Sequence, residues 1–321
     1  MLAPIEKSMA EVNKFGLSRD IPYLIKREVR QKCGFGCVVC GSAVYQYEHL
    51  EPLFSEAEKH DPNGIVLVCG GCHDRVKHRI LSKETIKLKA KNPKCLEQGF
   101  SFGPFDLGLT SPEIIFGTLT GKNIGTLIRV YSDEILSIAP PEQEGTPFLI
   151  NAFLSDRKGN VIFAIKNNEW VTPTSNWDVE VVGPRITIRK KLGDILLCLR
   201  SEPPHRLIIE RLDMFHKEVK ISCKESQSIE VTTPLGQYYK SSQTEIEGCK
   251  IGVDITDTGM AIGVGGGSVY FGNATFGRSP SHFLGIPFPP FNMTAPRKIS
   301  RNEKCPCGSG KKNKRCCGAN K

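Results

Sequence analysis

Two Cys-x-x-Cys pairs, Cys37/Cys40 and Cys69/Cys72, constrain this 321-residue chain more than any other feature. Each pair forms a tight knuckle, and two knuckles offer four thiolates to one tetrahedral Zn²⁺. One pair alone would say little. Two pairs, with Cys69 following Cys40 by 29 positions, predict a zinc-stapled module. The first residues, Met1 to Lys14, are charged and lack the apolar stretch of a secretion leader. A cytoplasmic, reducing setting is therefore expected, in which paired cysteines bind metal and are not joined as disulfides. Of the thirteen cysteines, a second set of four, Cys305, Cys307, Cys316 and Cys317, predicts a second structural zinc. The remaining five, Cys33, Cys95, Cys198, Cys223 and Cys249, read as core residues.

Hydrophobic residues make up 39% of the chain, enough to bury a core, yet no apolar run approaches the length of a bilayer span, so no membrane partner is expected. The net charge of +9 is unevenly placed. Residues 296–321 hold nine Lys/Arg against one acidic residue, and residues 1–100 hold 16 against 12. The stretch between them is slightly acidic. Basic ends fit an anionic partner, with nucleic acid the natural candidate.

The pattern predicts an α+β multidomain chain. Residues 1–100 form the zinc module, 101–278 a central all-β, sandwich-like domain for sensing, specificity or self-association, 279–298 a Pro-rich linker, and 299–321 a zinc-bound tail. In the module, Asp20 caps a helix that opens at Pro22 and ends at Gly34. Strands are predicted over 44–50 and 65–68. A helix begins near Gly71 and carries His73, Val76 and Ile80, and Ser82 starts another that stops at Pro93. Strand-like runs recur from Ile114–Leu119 to Lys250–Ile255. Gly263 to Ser268 loosely echoes a phosphate loop, but without its Lys-Ser/Thr ending it reads as a flexible loop.

Between the cysteine pairs lie Tyr47-Glu48-His49 and Asn63, and His73 follows Cys72 directly. Zinc tethering brings that strand and helix together. A carboxylate and an imidazole can then hold a hard divalent ion, and a second imidazole can deprotonate water for attack on phosphorus. Residues 20–95 resemble the HNH endonuclease family in its zinc-stapled ββα-metal form. The resemblance is carried by Arg30-Gln-Lys-Cys33-Gly-Phe-Gly-Cys37-Val-Val-Cys40-Gly, Tyr47-Glu48-His49, Asn63 and Val68-Cys69-Gly-Gly-Cys72-His73. It implies His49 as the general base, Asn63 as the residue that orients it, and Glu48 and His73 as ligands of a catalytic Mg²⁺, Mn²⁺ or similar ion. The implied activity is metal-dependent hydrolysis of DNA phosphodiesters in a prokaryotic defence or mobile-element setting, with a homodimer one route to double-strand cutting. Two departures stand out. Glu48 occupies a place where Asp is common, and Lys77, next to His78, occupies the place of a further histidine. Arg27, Arg30, Lys77 and Arg79 are the expected phosphate contacts, with a solvated basic face as the alternative for Arg27 and Arg30. His60, in the acidic loop from Glu56 to Asp61, reads as a loop histidine.

Two rival readings remain. His49-x-Glu51 followed by Cys69/Cys72 imitates a zinc-deaminase signature, which would put zinc on His49 and leave Cys37 and Cys40 without a role. Alternatively, the module is a non-catalytic zinc adaptor for nucleic acid or protein. Residues 301–318, Cys305-Pro-Cys307-Gly-Ser-Gly-Lys-Lys-Asn-Lys-Arg-Cys316-Cys317 among them, resemble the SEC-C motif. That resemblance implies zinc binding and protein or ribosome contact.

Overall fold

The computed structural model describes residues 12–278 and Lys312. The Pro-rich stretch and the second cysteine set, Cys305, Cys307, Cys316 and Cys317, lie outside the described residues.

The first element, α1 (Tyr23–Cys33), follows Pro22, whose fixed φ suits a helix start. Asp20 does not cap it; its carboxylate instead accepts from Lys26 Nζ at 2.8 Å. Gly34 ends the helix in the left-handed conformation, its N–H donating to the carbonyls of Arg30 and Gln31. A Cβ there would also lie 2.8 Å from Cys95 Cβ, so glycine is required twice over.

The strand β1 (Gln46–His49) pairs antiparallel with β2 (Ile65–Val68), setting Glu48 opposite Val66 and His49 opposite Ile65. All four β2 residues are buried. The connection returns tightly: the Leu50 and Glu51 amides both donate to Gly64 O. A Cβ on Gly64 would lie 2.1 Å from Glu51 O, which only glycine avoids. Helix α2 (Gly70–Lys77) follows β2 at once, capped by the Cys69 sulfur, which accepts from the Cys72 amide. It stops short of Ile80 because Arg79 turns left-handed, at φ 59°. Ser82 caps α3 (Lys83–Lys91) as its sequence predicts, and α4 (Lys94–Gln98) completes the module.

The rest is almost wholly strand. In chain order the strands are β3 (Phe100–Pro104), β4 (Glu113–Phe116), β5 (Leu119–Lys122), β6 (Thr126–Val130), β7 (Asp133–Ala139), β8 (Leu149–Ser155), β9 (Val161–Lys166), β10 (Glu169–Pro173) and β11 (Asp178–Val182). They continue with β12 (Arg185–Lys191), β13 (Asp194–Glu202), β14 (Arg206–His216), β15 (Val219–Lys224), β16 (Ile229–Thr232), β17 (Gln237–Glu247), β18 (Ile251–Ile255), β19 (Met260–Val264) and β20 (Ser268–Arg278). Period-two burial explains them. On β15, for example, Val219, Ile221 and Cys223 are buried while Lys220 and Lys224 are exposed. The run Ile114–Leu119, expected as one strand, is split by Gly117 at φ 61° into β4 and β5. Gly263 falls within β19, and Gly265 to Gly267 form the turn to β20, with no helix after them. Gly267 passes so close to Glu247 O that a Cβ would lie 2.1 Å away.

Two sheets result. One orders eight strands as β19-β18-β6-β7-β8-β9-β10-β3. The other runs β11-β12-β13-β14-β15-β16-β17-β5-β4, with β20 on β17. Parallel pairing of the end strand β4 with the interior strand β14 makes β14, β15, β16, β17, β5 and β4 close a ring, with β11, β12 and β13 outside it. One hydrophobic core joins Leu127, Ile165 and Trp170 of the first sheet to Ile188, Leu212 and Tyr239 of the second.

A smaller core gathers Val29, Cys33, Val38 and the whole of β2. The module and the β-rich region nonetheless belong to one compact unit. Phe35 and Ala43 contribute to the large core, and Ser42 bridges Phe102 of β3. A charged contact also joins them. Arg30, wholly buried on α1, donates to both carboxylate oxygens of Asp178 on β11, at 2.9 and 2.8 Å.

Candidate metal centre

The four cysteines of the first set converge from the loop after α1 and the start of α2. Their Sγ atoms all lie within 4.8 Å of one another, with Cys40 and Cys69 at 3.5 Å. A Zn–S distance of about 2.3 Å sets tetrahedral sulfurs about 3.8 Å apart, so this donor set fits one Zn²⁺. The thiols are electrostatically unequal. The hydrogen bond from Cys40 holds Cys37 down at about 5, whereas burial, reinforced by Cys37, pushes Cys72 up to about 12. Crowded thiols that share protons in this way give those protons up when a cation takes their place. Cys37 and Cys72 are buried and Cys40 and Cys69 half-buried, as a structural site requires.

This grouping decides against zinc on His49. Cys69 and Cys72 are committed to Cys37 and Cys40, and His49 Nε2 instead faces His60 Nδ1 at 3.1 Å. His60 is therefore not a loop histidine in solvent: it is buried, and its ring meets that of His49. The carboxylate-rich context of residues 56–61 hid this in the sequence, because contact across a loop leaves no periodic signal.

Glu48 and His73 meet as the strand–helix tether predicts, with Glu48 Oε2 3.6 Å from His73 Nε2 and both side chains about one-third exposed. An open carboxylate–imidazole pair suits a divalent ion that keeps water ligands. Glu48 and His49 occupy successive strand positions, whose side chains leave opposite faces. The four candidate residues thus separate into a Glu48–His73 pair and a His49–His60 pair. Asn63 is exposed; its backbone N–H donates to Asp61 Oδ1 at 2.9 Å. The adjacent loop is fixed from α1, where Lys32 Nζ donates to the carbonyls of Pro62 and, at 3.0 Å, Ile65. His49 titrates below the ordinary histidine value, first because it is half-buried, then because of His60 and Arg19.

The expected phosphate contacts divide in two. Lys77 and Arg79 are exposed at the end of α2. Arg30 is not available: besides Asp178, its Nη1 donates to Tyr47 OH and Glu180 Oε1, each at 3.0 Å. Burial favours its neutral form, but Asp178 and Tyr47 more than offset this and raise its proton affinity. Arg27 lies 4.9 Å over the Trp177 ring, half-buried. An amphipathic reading of α1 sees only basic residues on one face; it cannot see that β11 brings two carboxylates to meet them.

The SEC-C motif model matches residues 301–319. The chain is 75% identical over 24 residues to the protein translocase subunit SecA of Syntrophus aciditrophicus (strain SB), and 72% identical over 25 residues to that of Thermodesulfovibrio yellowstonii (strain ATCC 51303 / DSM 11347 / YP87). Each match covers 8% of this chain, which spans only 3% of the length of the curated relatives it matches. The likeness is confined to the terminal motif and does not reach residues 20–95. The four-cysteine cluster and the SEC-C motif are both compatible with structural zinc. No solved structure matches the chain.

Proposed function

We propose that the N-terminal module is a metal-dependent nuclease of HNH type that hydrolyses DNA phosphodiester bonds. The observation that carries this reading is the Glu48–His73 apposition, 3.6 Å across a strand and a helix that the four cysteines tie together. A divalent ion held by that pair would neutralise charge on the phosphoryl oxygens and leaving group. His49 accepts a proton from the attacking water, its depressed proton affinity keeping it neutral and ready at neutral pH. Lys77 and Arg79 hold flanking phosphates, and Asn63 borders the loop around the base. The β-rich region regulates the site or selects its DNA, in a prokaryotic defence or mobile-element role. One such site cuts one strand, so two copies would cut a duplex. The test is nicking of supercoiled plasmid at low salt with Mg²⁺, Mn²⁺ or EDTA. Metal-dependent nicking that His49→Ala abolishes, with DNA binding retained, supports the reading; normal cutting by His49→Ala removes it.

The SEC-C motif favours a second reading. Its presence in proteins named translocase subunits supports protein contact through the tail. In that reading the chain is a zinc-bound adaptor, and Glu48, His49, Asn63 and His73 are dispensable. Unchanged binding with no nicking under any metal supports it.

A further inference from the structure

The His49–His60 pair is built into its surroundings. The ring centroids lie 5.3 Å apart with the planes inclined at 45°. Phe54 packs against His49, centroid to centroid at 5.4 Å, and the Arg19 guanidinium lies 4.6 Å over that Phe54 ring. Asn13 fixes the loop that carries Phe54: its side-chain amide donates to the carbonyls of Phe54 and Ala57, both at 2.6 Å. His60 is 9% exposed and His49 half-buried, so neither ring is a surface rotor.

A hydrogen bond between two neutral imidazoles uses one proton and runs in one of two directions. If His60 Nδ1 carries the proton, His49 accepts at Nε2 and holds its own proton at Nδ1, leaving no lone pair for a water. If His49 Nε2 carries the proton and donates to His60 Nδ1, His49 Nδ1 keeps its lone pair. Only the second arrangement leaves His49 basic toward a third group.

We infer that His60 is a positioning residue that holds His49 as its Nε2–H tautomer, leaving Nδ1 as the proton-accepting atom; its catalytic consequence rests on His49 being the base. In the reaction, the water's O–H electron pair stays on the attacking oxygen as that oxygen bonds to phosphorus, and the bond from phosphorus to the leaving ester oxygen breaks with its electron pair on that oxygen, which takes a proton from solvent. The proton passes to His49 Nδ1. The resulting imidazolium keeps its Nε2–H bonded to the neutral His60 Nδ1, which stabilises the charge and holds the ring in place. This is the bracing task that sequence resemblance assigns to Asn63, performed here by a residue three positions earlier.

The experiment uses the full-length, zinc-loaded protein with ring-¹⁵N-labelled histidine. Long-range ¹H–¹⁵N spectra at neutral pH should show His49 protonated at Nε2 and bare at Nδ1. His60→Phe, which keeps a ring and removes the acceptor, should release His49 to a mixture of tautomers. His60→Asn, whose Oδ1 accepts from nearly the same place, should retain the Nε2–H form. Zinc content equal to wild type in both variants reports the fold; if the Phe variant loses zinc, the wild-type and Asn spectra decide. In plasmid nicking, His60→Phe should lower kcat by about 10- to 100-fold at unchanged KM, and His60→Asn should recover most of the loss. A wild-type His49 protonated at Nδ1, or a tautomer that a folded His60→Phe leaves unaltered, overturns the inference. The predicted tautomers in a protein that nicks nothing would uphold the pairing and discard the nuclease reading.

Discussion

Replacing Arg30 by Met should destabilise the protein severely while leaving its electrostatic attraction to DNA unchanged. Arg30 and Asp178 are both wholly buried, joined by two hydrogen bonds, and Arg30 also holds Tyr47 and Glu180. Removing one partner of a buried pair strands the other charge, at a cost of about 3–5 kcal/mol. Asp178 would keep one partner, Arg189 Nη1 at 3.0 Å, which argues for the lower end, about 3 kcal/mol. For a chain of this size that corresponds to roughly 4–6 °C in Tm. The assay is thermal and urea unfolding of Arg30→Met, Asp178→Leu and the double variant, all zinc-loaded. The double variant should be more stable than Arg30→Met, because it removes the stranded carboxylate with its partner. DNA binding by Arg30→Met, measured below its melting range, should keep the wild-type salt dependence. A variant within about 0.5 kcal/mol of wild type, an ordinary surface effect, would refute the reasoning. So would a salt slope reduced by about one, the mark of a lost phosphate contact.

The remaining predictions concern metal, charge and pH. Full-length protein should carry two zinc ions per chain by elemental analysis, and Cys69→Ser should carry one and lose the cooperative melting of the module, because the cluster staples the smaller core. Lys77→Ala and Arg79→Ala should each weaken DNA binding uniformly across sequences and reduce the salt slope by about one, seen in binding titrations at several salt concentrations. Because the folded state depresses the His49 proton affinity, its neutral form contributes stability that is fully present above the unfolded histidine value of about 6.5. That contribution should fade as pH falls through the lower, folded value. His49→Gln should flatten this part of the stability–pH curve in urea titrations, and an unaltered curve would show that another group carries it.

Spacing and alternation were legible because they are local. Two Cys-x-x-Cys pairs name their own cluster, since each knuckle is set by four consecutive residues, and the fold gathers all four sulfurs. Thr126–Val130 is a strand with the boundaries expected of a strand-like run between turn signals, and Gly34 ends α1 because nothing else fits there. What stayed hidden depended on partners far along the chain. Arg30 finds Asp178 across 148 positions. The parallel pairing of β4 with β14 closes a ring that no short pattern announces. Strands such as β7 and β17 lie outside the expected runs because their alternation is interrupted by polar residues or bulges.

Arg30 and His60 show opposite errors with one physical cause. A charged residue on a helix face was expected to meet phosphate, yet it is buried with carboxylates of the chain itself. A histidine in an acidic loop reads as a loop histidine without a role, yet it is buried against the histidine at the heart of the candidate site. In both, the side chain's own chemistry follows from its residue type: a guanidinium seeks anions, and an imidazole can donate or accept. Only the tertiary partner was missing. The two residues also act on neighbouring positions of one strand: Arg30 holds Tyr47 and His60 holds His49, with Glu48 between them. The strand carrying the candidate chemistry is therefore gripped on one side through the β-rich region and on the other by the loop that precedes β2.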